Sequence, residues 1–345
     1  MSIQHLIRPT IQALKPYSSA RDEFKGEKED LIFLDANENP FDNGVNRYPD
    51  PQQTALKSVL SELKTVPIAN MLLGNGSDEV LDLLIRMFCE PNVDNIVILP
   101  PTYGMYEVLA NINAVKTLKV NLSAEEFQPQ TAKILETADA NSKILFLCSP
   151  NNPTGNSFKA STIESLLNTF KGIVVIDEAY IDFSNEDSWV SRLQEFPNLV
   201  VTQTLSKAYG MAGIRLGMCF ASSEIIATLN KIKPPYNVNT LTQKRAIEGF
   251  ENNTLIKNEI DCLLEERTVL HKALVDINFV QKTYGSDANF IMIKVDDAHK
   301  RYQQLIDYGI VIRNRTTQPL CDNCLRLTVG TKSENKHLIE TLKSL

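Results

Sequence analysis

Thr204-Leu205-Ser206-Lys207-Ala208-Tyr209-Gly210-Met211-Ala212-Gly213-Ile214-Arg215-Leu216-Gly217 sets one lysine between a small hydroxyl residue and a glycine-rich run that ends in an arginine. Surface lysines usually sit among charged, helix-forming residues, whereas the neighbours of Lys207 are small or apolar. Val200 to Thr204, just before it, reads as a buried strand. Lys207 could condense with an aldehyde cofactor, while the Ser206 hydroxyl and the Arg215 guanidinium could hold an anion beside it. The plain alternative is a solvated lysine in a glycine-rich loop. On this stretch alone both readings stay open.

Outward from this stretch, strand-like and helix-like pieces alternate. Asn95 to Leu99, Val115 to Val120, Lys143 to Cys148, Ile173 to Ile176, Leu199 to Thr204 and Leu216 to Phe220 read as strands. Several are continuous apolar runs, as strands buried on both faces of a parallel sheet are. A helix is expected from about Gln52 to Leu63. Gly74-Asn75-Gly76-Ser77-Asp78-Glu79 opens another, with Val80, Leu81, Leu83, Leu84 and Met87 on or near one face. Such alternation implies an α/β fold with a mostly parallel central sheet between helices.

After about Thr254 the pattern changes. A long charged helix, Glu259 to Leu274, is followed by shorter strands at Phe279 to Lys282, Phe290 to Val295, Val311-Ile312 and Leu325 to Val329. Helices are expected near Ala298 to Tyr308 and Lys332 to Leu342, giving a smaller α+β domain. The expected division is an N-terminal arm with part of the small domain (1–45), a large domain (46–254) and a small C-terminal domain (255–345). Residues 1 to about 30 read as an irregular arm with Pro9 and Pro16 as breakers. Leu31 to Leu34 is a short apolar run before turn-rich sequence, and Asn46-Arg47-Tyr48-Pro49-Asp50-Pro51 is too proline-rich for a helix.

Composition excludes several classes. The 345 residues carry a net charge of -7, with no basic cluster interleaved with aromatics, which argues against a nucleic-acid partner. No apolar run approaches the roughly 20 residues of a membrane span, and the N-terminus lacks a signal peptide's charged start and apolar core. A cytoplasmic location is expected. The six cysteines are scattered, which suits reduced core thiols. Cys321-Asp322-Asn323-Cys324 has metal or redox spacing but no second pair and no nearby histidine, so no metal site is expected.

In an open α/β sheet, ligands sit beyond the carboxyl ends of the strands. Ser149-Pro150-Asn151-Asn152-Pro153-Thr154-Gly155, Asp177-Glu178-Ala179-Tyr180 and Ser206-Lys207 each follow a strand there. Every piece has an ordinary reading: a turn at Asn152, a helix cap at Asp177, core packing at Tyr103, an N-cap at Ser77. A buried Asp177, however, is costly unless it meets a cation. Together the parts fit pyridoxal phosphate. That cofactor needs a lysine for its aldehyde, a carboxylate for its ring nitrogen and a phosphate cradle such as the Gly76-Ser77-Asp78 helix start. A donor to its phenolic oxygen and an aromatic face would also help.

Asn152-Pro153-Thr154-Gly155, Asp177-Glu178-Ala179-Tyr180 and the opening stretch resemble the signature of fold-type I pyridoxal-phosphate aminotransferases, class II, over nearly the whole chain. Lys15-Pro16-Tyr17, Asp35-Ala36-Asn37-Glu38-Asn39-Pro40, Asn46-Arg47-Tyr48-Pro49-Asp50, Gly76-Ser77-Asp78-Glu79 and Cys324-Leu325-Arg326-Leu327-Thr328-Val329-Gly330-Thr331 resemble the histidinol-phosphate aminotransferase family more closely. The resemblance implies that Lys207 bonds to the cofactor aldehyde and Asp177 pairs with the pyridine nitrogen. It implies that Asn152 and Tyr180 hydrogen-bond the phenolic oxygen and Tyr103 stacks on the ring. Ser77, Asp78 through its backbone N–H, Ser206 and Arg215 would hold the phosphate, joined by Tyr48 from the neighbouring subunit of a homodimer with shared active sites. Tyr17, Arg313 and Arg326 would face the substrate.

Guanidinium groups suit phosphate and carboxylate by bidentate hydrogen bonding. Arg313 and Arg326 with Tyr17 could therefore take the phosphate of histidinol phosphate, and the carboxylates of glutamate and 2-oxoglutarate in the other half-reaction. One departure stands out: where family members commonly have Arg-Asp, this chain has Arg313-Asn314 and then Arg315. Which of Arg313 and Arg315 faces the pocket is left open. The expected activity is transamination between histidinol phosphate and 2-oxoglutarate, with aromatic amino-acid transamination as the alternative.

Overall fold

Two sheets organise the chain. The computed structural model describes residues 3–17 and 32–345. Residues 18–31, part of the expected arm together with Leu31 of the short apolar run, lie outside the described residues.

The larger sheet has seven strands: β1 (Met71–Asn75), β2 (Asn95–Ile98), β3 (Lys116–Lys119), β4 (Ser142–Cys148), β5 (Ile173–Asp177), β6 (Leu199–Thr204) and β7 (Leu216–Ala221), in the order β1-β7-β6-β5-β4-β2-β3. β3, β2, β4, β5 and β6 are parallel neighbours, while β7 is antiparallel to both β6 and β1. The mostly parallel sheet expected from the apolar runs is therefore present. Helices α1 (Thr54–Lys64), α2 (Gly76–Phe88), α3 (Met105–Ile112), α4 (Thr131–Thr137), α5 (Ala160–Thr169), α6 (Ser223–Ile232) and α7 (Thr240–Glu251) accompany it.

Strand side chains alternate between the faces, and each face meets its own apolar layer. Ile144, Phe146, Cys148, Ile173 and Val175 pack with Val80, Leu84 and Phe88 of α2 and Tyr106 of α3. Leu145, Leu147, Val174 and Ile176 pack on the other side with Ile163 and Leu166 of α5. Each such side chain, fully buried, contributes about 1.5–3 kcal/mol, so the platform beneath the strand ends is strongly determined. The same alternation sets Asp177 on the face of Ile173 and Val175, towards α3.

The second sheet is antiparallel, in the order β10-β11-β9-β8, from β8 (Val280–Thr283), β9 (Phe290–Val295), β10 (Arg313–Asn314) and β11 (Cys324–Thr328). It packs with α8 (Asn253–Val275), α9 (Ala298–Asp307) and α10 (Lys332–Ser344) around Leu270, Leu274, Ile293, Leu305, Leu325 and Leu338. A reciprocal capping box between Thr331 and Glu334 starts α10. Here the sequence misplaces one strand. Val311-Ile312 is not paired, and the ladder begins at Arg313. Ile312 is apolar because it enters the small core, while Val311 is exposed. Apolarity here reports packing rather than pairing.

Candidate active site

Arg215 and the start of α2 are built as one unit. β1 and β7 run antiparallel with Gly74 opposite Gly217 and Asn75 opposite Leu216. The Gly76 N–H donates to the Arg215 carbonyl at 2.7 Å. A Cβ on Gly217 would lie 2.2 Å from the Ser77 nitrogen, and one on Gly76, at φ +76°, would lie 2.6 Å from Arg215 Nη2. Only glycine allows both close approaches. Arg215 thus lies over the first turn of α2, where the unpaired N–H groups and the helix dipole favour an anion. Its Nη2 is 4.0 Å from Asp78 Oδ2, and its side chain is half-exposed. A contact so long and open is worth about 0–1 kcal/mol, which leaves the guanidinium free to take a stronger anionic partner. Ser206 completes the corner: its Oγ accepts from Thr204 Oγ1 at 3.0 Å and from Arg215 Nη1 at 3.4 Å.

Lys207 follows β6 in a turn closed by Gly210 N–H to the Lys207 carbonyl at 3.1 Å. Its Nζ lies 5.6 Å from the centre of the Tyr180 ring. The amine opens into a cavity whose walls partly bury it, although the residue as a whole is exposed to solvent there. This burial, with Arg326 and Arg215 nearby, pulls its pKa below the usual lysine range. Asp177, at the end of β5, is 3% exposed. It accepts from Tyr106 Oη at 2.7 Å and from the Ala179 N–H at 3.3 Å. Burial raises its pKa against those donors, and no basic side chain forms an ion pair with it among the described residues. Tyr103 donates to Asp78 Oδ1 at 3.0 Å and meets Tyr106 edge to face at 5.5 Å. Asn152 Nδ2 lies 3.4 Å from the Tyr180 hydroxyl, and Asn152 Oδ1 accepts from Arg326 Nη1.

These groups line one cavity of about 570 Å³. It gathers Lys207, Asp177, Tyr180, Asn152, Tyr103, Ser77, Asp78, Ser206, Arg215, Arg313 and Arg326 from distant parts of the chain. Arg326 comes from β11, its guanidinium 5.0 Å from the centre of the Phe290 ring. Burial, with Arg313 nearby, lowers its pKa. Two expected members are elsewhere. Tyr17 is 72% exposed and does not line this cavity. Tyr48 stacks on Tyr236 with ring centres 4.6 Å apart and is also exposed, outside the cavity.

Tyr106 escapes the sequence reading, Arg315 is left open by it, and Glu178 is given no role. Tyr106 is fully buried, stacked on Phe146 at 4.7 Å, and its only sequence signal is helical spacing from Tyr103, which reads as core. Arg315 lines the cavity beside Arg313, so both arginines of the open pair reach it. Glu178, next to Asp177, points away from the cavity. It accepts from Ser188 Oγ, the Trp189 N–H and Gln203 Nε2, and burial pushes its pKa up to about 7. Those bonds pin the loop that follows Tyr180. The four histidines do not line the cavity, and no group of metal-ligating side chains occurs among the described residues.

The donor set fits pyridoxal phosphate. It provides an amine with a lowered pKa, a buried carboxylate suited to a protonated ring nitrogen, two groups for a phenolic oxygen, an aromatic wall and a helix-start anion cradle kept open by glycine.

A family model described as aminotransferase class I and II matches residues 30–342. The histidinol-phosphate aminotransferase of Flavobacterium johnsoniae is 62% identical over 344 residues, covering 99% of this chain and 98% of that protein. The solved histidinol-phosphate aminotransferase of Clostridium acetobutylicum superposes with a TM-score of 0.80 at 24% identity, over 87% of this chain and 90% of the other. That of Sinorhizobium meliloti, in complex with pyridoxal-5'-phosphate, superposes with a TM-score of 0.79 at 21% identity, over 86% and 82%. At those identities the two structures speak to the fold, which agrees with the two-sheet architecture. With the family model matched over most of the chain and a full-length relative this similar, the chain belongs to the class I and II aminotransferases and, within them, to the histidinol-phosphate aminotransferase family.

Proposed function

We propose that this protein interconverts L-histidinol phosphate plus 2-oxoglutarate and imidazole acetol phosphate plus L-glutamate, a step of L-histidine biosynthesis, with pyridoxal 5'-phosphate as cofactor. The observation that carries the substrate assignment is the far wall of the cavity. Arg313, Arg315 and Arg326 line it and form no ion pair among the described residues. Its only carboxylates, Asp78 and Asp177, are engaged by Tyr103 and Tyr106. Such a wall calls for an anionic substrate.

Pyridoxal phosphate, when bound, supplies a ring that draws electrons from the substrate carbon bearing the amino group. The chain supplies the rest. Lys207 holds an amine whose lowered pKa leaves more of it neutral near pH 7, able to take a proton from that carbon and return it. Asp177 keeps a proton on the ring nitrogen, and in doing so gains the cationic neighbour that favours its ionised form. Asn152 and Tyr180 orient the phenolic oxygen. Ser77, the Asp78 N–H, Ser206 and Arg215 hold the cofactor phosphate. Arg313 and Arg326 bind the substrate's anionic end.

The test is turnover of histidinol phosphate against phenylalanine, with 2-oxoglutarate as acceptor. We expect kcat/KM to favour histidinol phosphate by about 100-fold or more, since a site built for a charged group is left unpaired by an apolar one. A preference for phenylalanine would sink the assignment in favour of aromatic amino-acid transamination.

The same proposal makes the enzyme a cytoplasmic homodimer. In support, Ile32, Leu34, Phe41, Val45 and Tyr48 form a run of exposed apolar side chains, which partner surfaces cover. The six cysteines are free, as suits a reducing compartment that cell fractionation can check. No helix among the described residues is long and apolar enough to cross a membrane. Tyr48 then reaches the active site of the partner. Mixing Tyr48→Phe subunits with Lys207→Ala subunits should give hybrids with one site carrying both changes and one carrying neither, so activity rises above the mean of the two parents. If the two halves titrate independently, Tyr48 does not cross. The boundary near residue 254 is also part of this reading: the large sheet ends by Ala221, the small one begins at Val280, and α7 gives way to α8 at Asn252.

A further inference from the structure

We propose that Arg315 is a third substrate-binding guanidinium, and that with Arg313 and Arg326 it makes a cradle selecting a phosphate dianion over a carboxylate. The proposal rests on the phosphate-substrate reading above and deepens it.

The register carries it. β10 pairs with β11 so that Arg313 lies directly opposite Arg326 and Asn314 opposite Leu325. The ladder extends one residue further, with the Arg315 N–H donating to the Cys324 carbonyl at 2.8 Å. Strand side chains alternate, so Arg313 and Arg315 project to the same face of the ladder as Arg326. Asn314 projects to the other, its Oδ1 accepting from the Thr316 N–H at 2.9 Å. All three arginines line the cavity, and none has an acidic partner among the described residues. The Nε atoms of Arg315 and Arg326 are buried without a hydrogen-bond partner.

Like charges set directly opposite on neighbouring strands are destabilising. A half-buried guanidinium that lacks both carboxylate and hydrogen-bond partners adds a desolvation cost. Burial, Arg326 and Arg313 together pull the Arg315 pKa to about 10, which reflects the same crowding. No acidic side chain among the described residues offsets this, and β10 is only two residues long. An anion offsets it, and the more so the greater its charge. A phosphate monoester carries about -1.5 to -2 near pH 7 with three acceptor oxygens, whereas a carboxylate carries -1 with two. Three forks therefore match the phosphate more fully than they match a glutamate side chain. Asn314, between the two arginines, is neutral and projects to the other face.

The experiment uses the holoenzyme with Arg315→Gln and Arg315→Lys. In Arg315→Gln the KM for histidinol phosphate should rise about 10- to 100-fold, with kcat moved less than about threefold. The KM for glutamate should rise by a much smaller factor. Arg315→Lys should fall between, since it keeps the charge but not the fork. Inorganic phosphate, as an inhibitor competing with glutamate, should bind about tenfold more weakly to Arg315→Gln than to the unaltered protein. Equal KM shifts for histidinol phosphate and glutamate, or an unchanged inhibition constant for inorganic phosphate, would overturn the proposal. If the unaltered enzyme itself prefers phenylalanine, the substrate assignment fails. The inorganic-phosphate comparison still decides whether Arg315 binds a phosphate dianion.

Discussion

Replacing Lys207 with alanine is expected to lower transamination by about 10⁴-fold or more, because in the proposed mechanism one side chain both bonds the cofactor aldehyde and carries the proton. The loss should not be structural. Lys207 makes no ion pair among the described residues, its turn is held by backbone bonds from Gly210 and Met211, and its amine opens into the cavity. Lys207→Arg sharpens the test. It keeps the charge and nearly the length, but a guanidinium does not give up its proton in proteins. It should be as inactive as the alanine variant, with an unchanged melting temperature. Steady-state rates with histidinol phosphate as donor and 2-oxoglutarate as acceptor, together with a thermal melt, decide the matter. More than about one per cent residual activity in either variant would remove Lys207 from its role.

The second large effect is expected at Asp177. Asp177→Asn keeps an oxygen to accept from Tyr106 but loses the charge proposed to face the cofactor nitrogen. A drop in kcat of about 10² to 10³ is expected, the scale on which a preorganised electrostatic partner acts. Stability should move the other way. The folded-state pKa of Asp177 is raised by burial, so at neutral pH the unfolded chain releases this proton more readily than the folded one. That difference destabilises the cofactor-free fold at all pH values above the unfolded carboxyl's pKa, and the cost vanishes below it. Asp177→Asn should therefore melt no lower than the parent at pH 7 without cofactor, and should gain less on cofactor addition. Tyr106→Phe is the milder form of the same experiment. It removes a 2.7 Å hydrogen bond to a charged acceptor, worth about 1.5–3 kcal/mol, so a loss of about 10- to 100-fold in kcat is expected. An Asp177→Asn enzyme with full activity, or one that melts well below the parent, would contradict this account.

The sequence carried much of this because the chemistry sits where local rules speak. Buried parallel strands leave continuous apolar runs, and polar residues that break such a run at its carboxyl end stand out. Asn152, Asp177 and Lys207 were visible for that reason, as was the glycine-flanked Ser77-Asp78 helix start. Tyr106 was hidden because a tyrosine at helical spacing among apolar residues has the pattern of core, and its partner is 71 residues away. The strand at Arg313 was read two residues early because Val311 and Ile312 have strand-like chemistry while the pairing is decided by β11. Tyr17 and Tyr48 keep their places in the sequence motif but lie outside the cavity, exposed on the surface of the chain.

By itself, then, the sequence determined the fold class, the cofactor chemistry and the family. Each depends on residue types at strand ends and on hydrophobic period, which are local properties. Only the tertiary structure decided how the arginine wall of the cavity is made. Whether Arg313 or Arg315 faces the pocket is a question of register. Register depends on which residue meets Arg326 across the ladder, and on the pleat that then turns both arginines to one side and Asn314 to the other. Long-range pairing sets that geometry, and no window of sequence contains it.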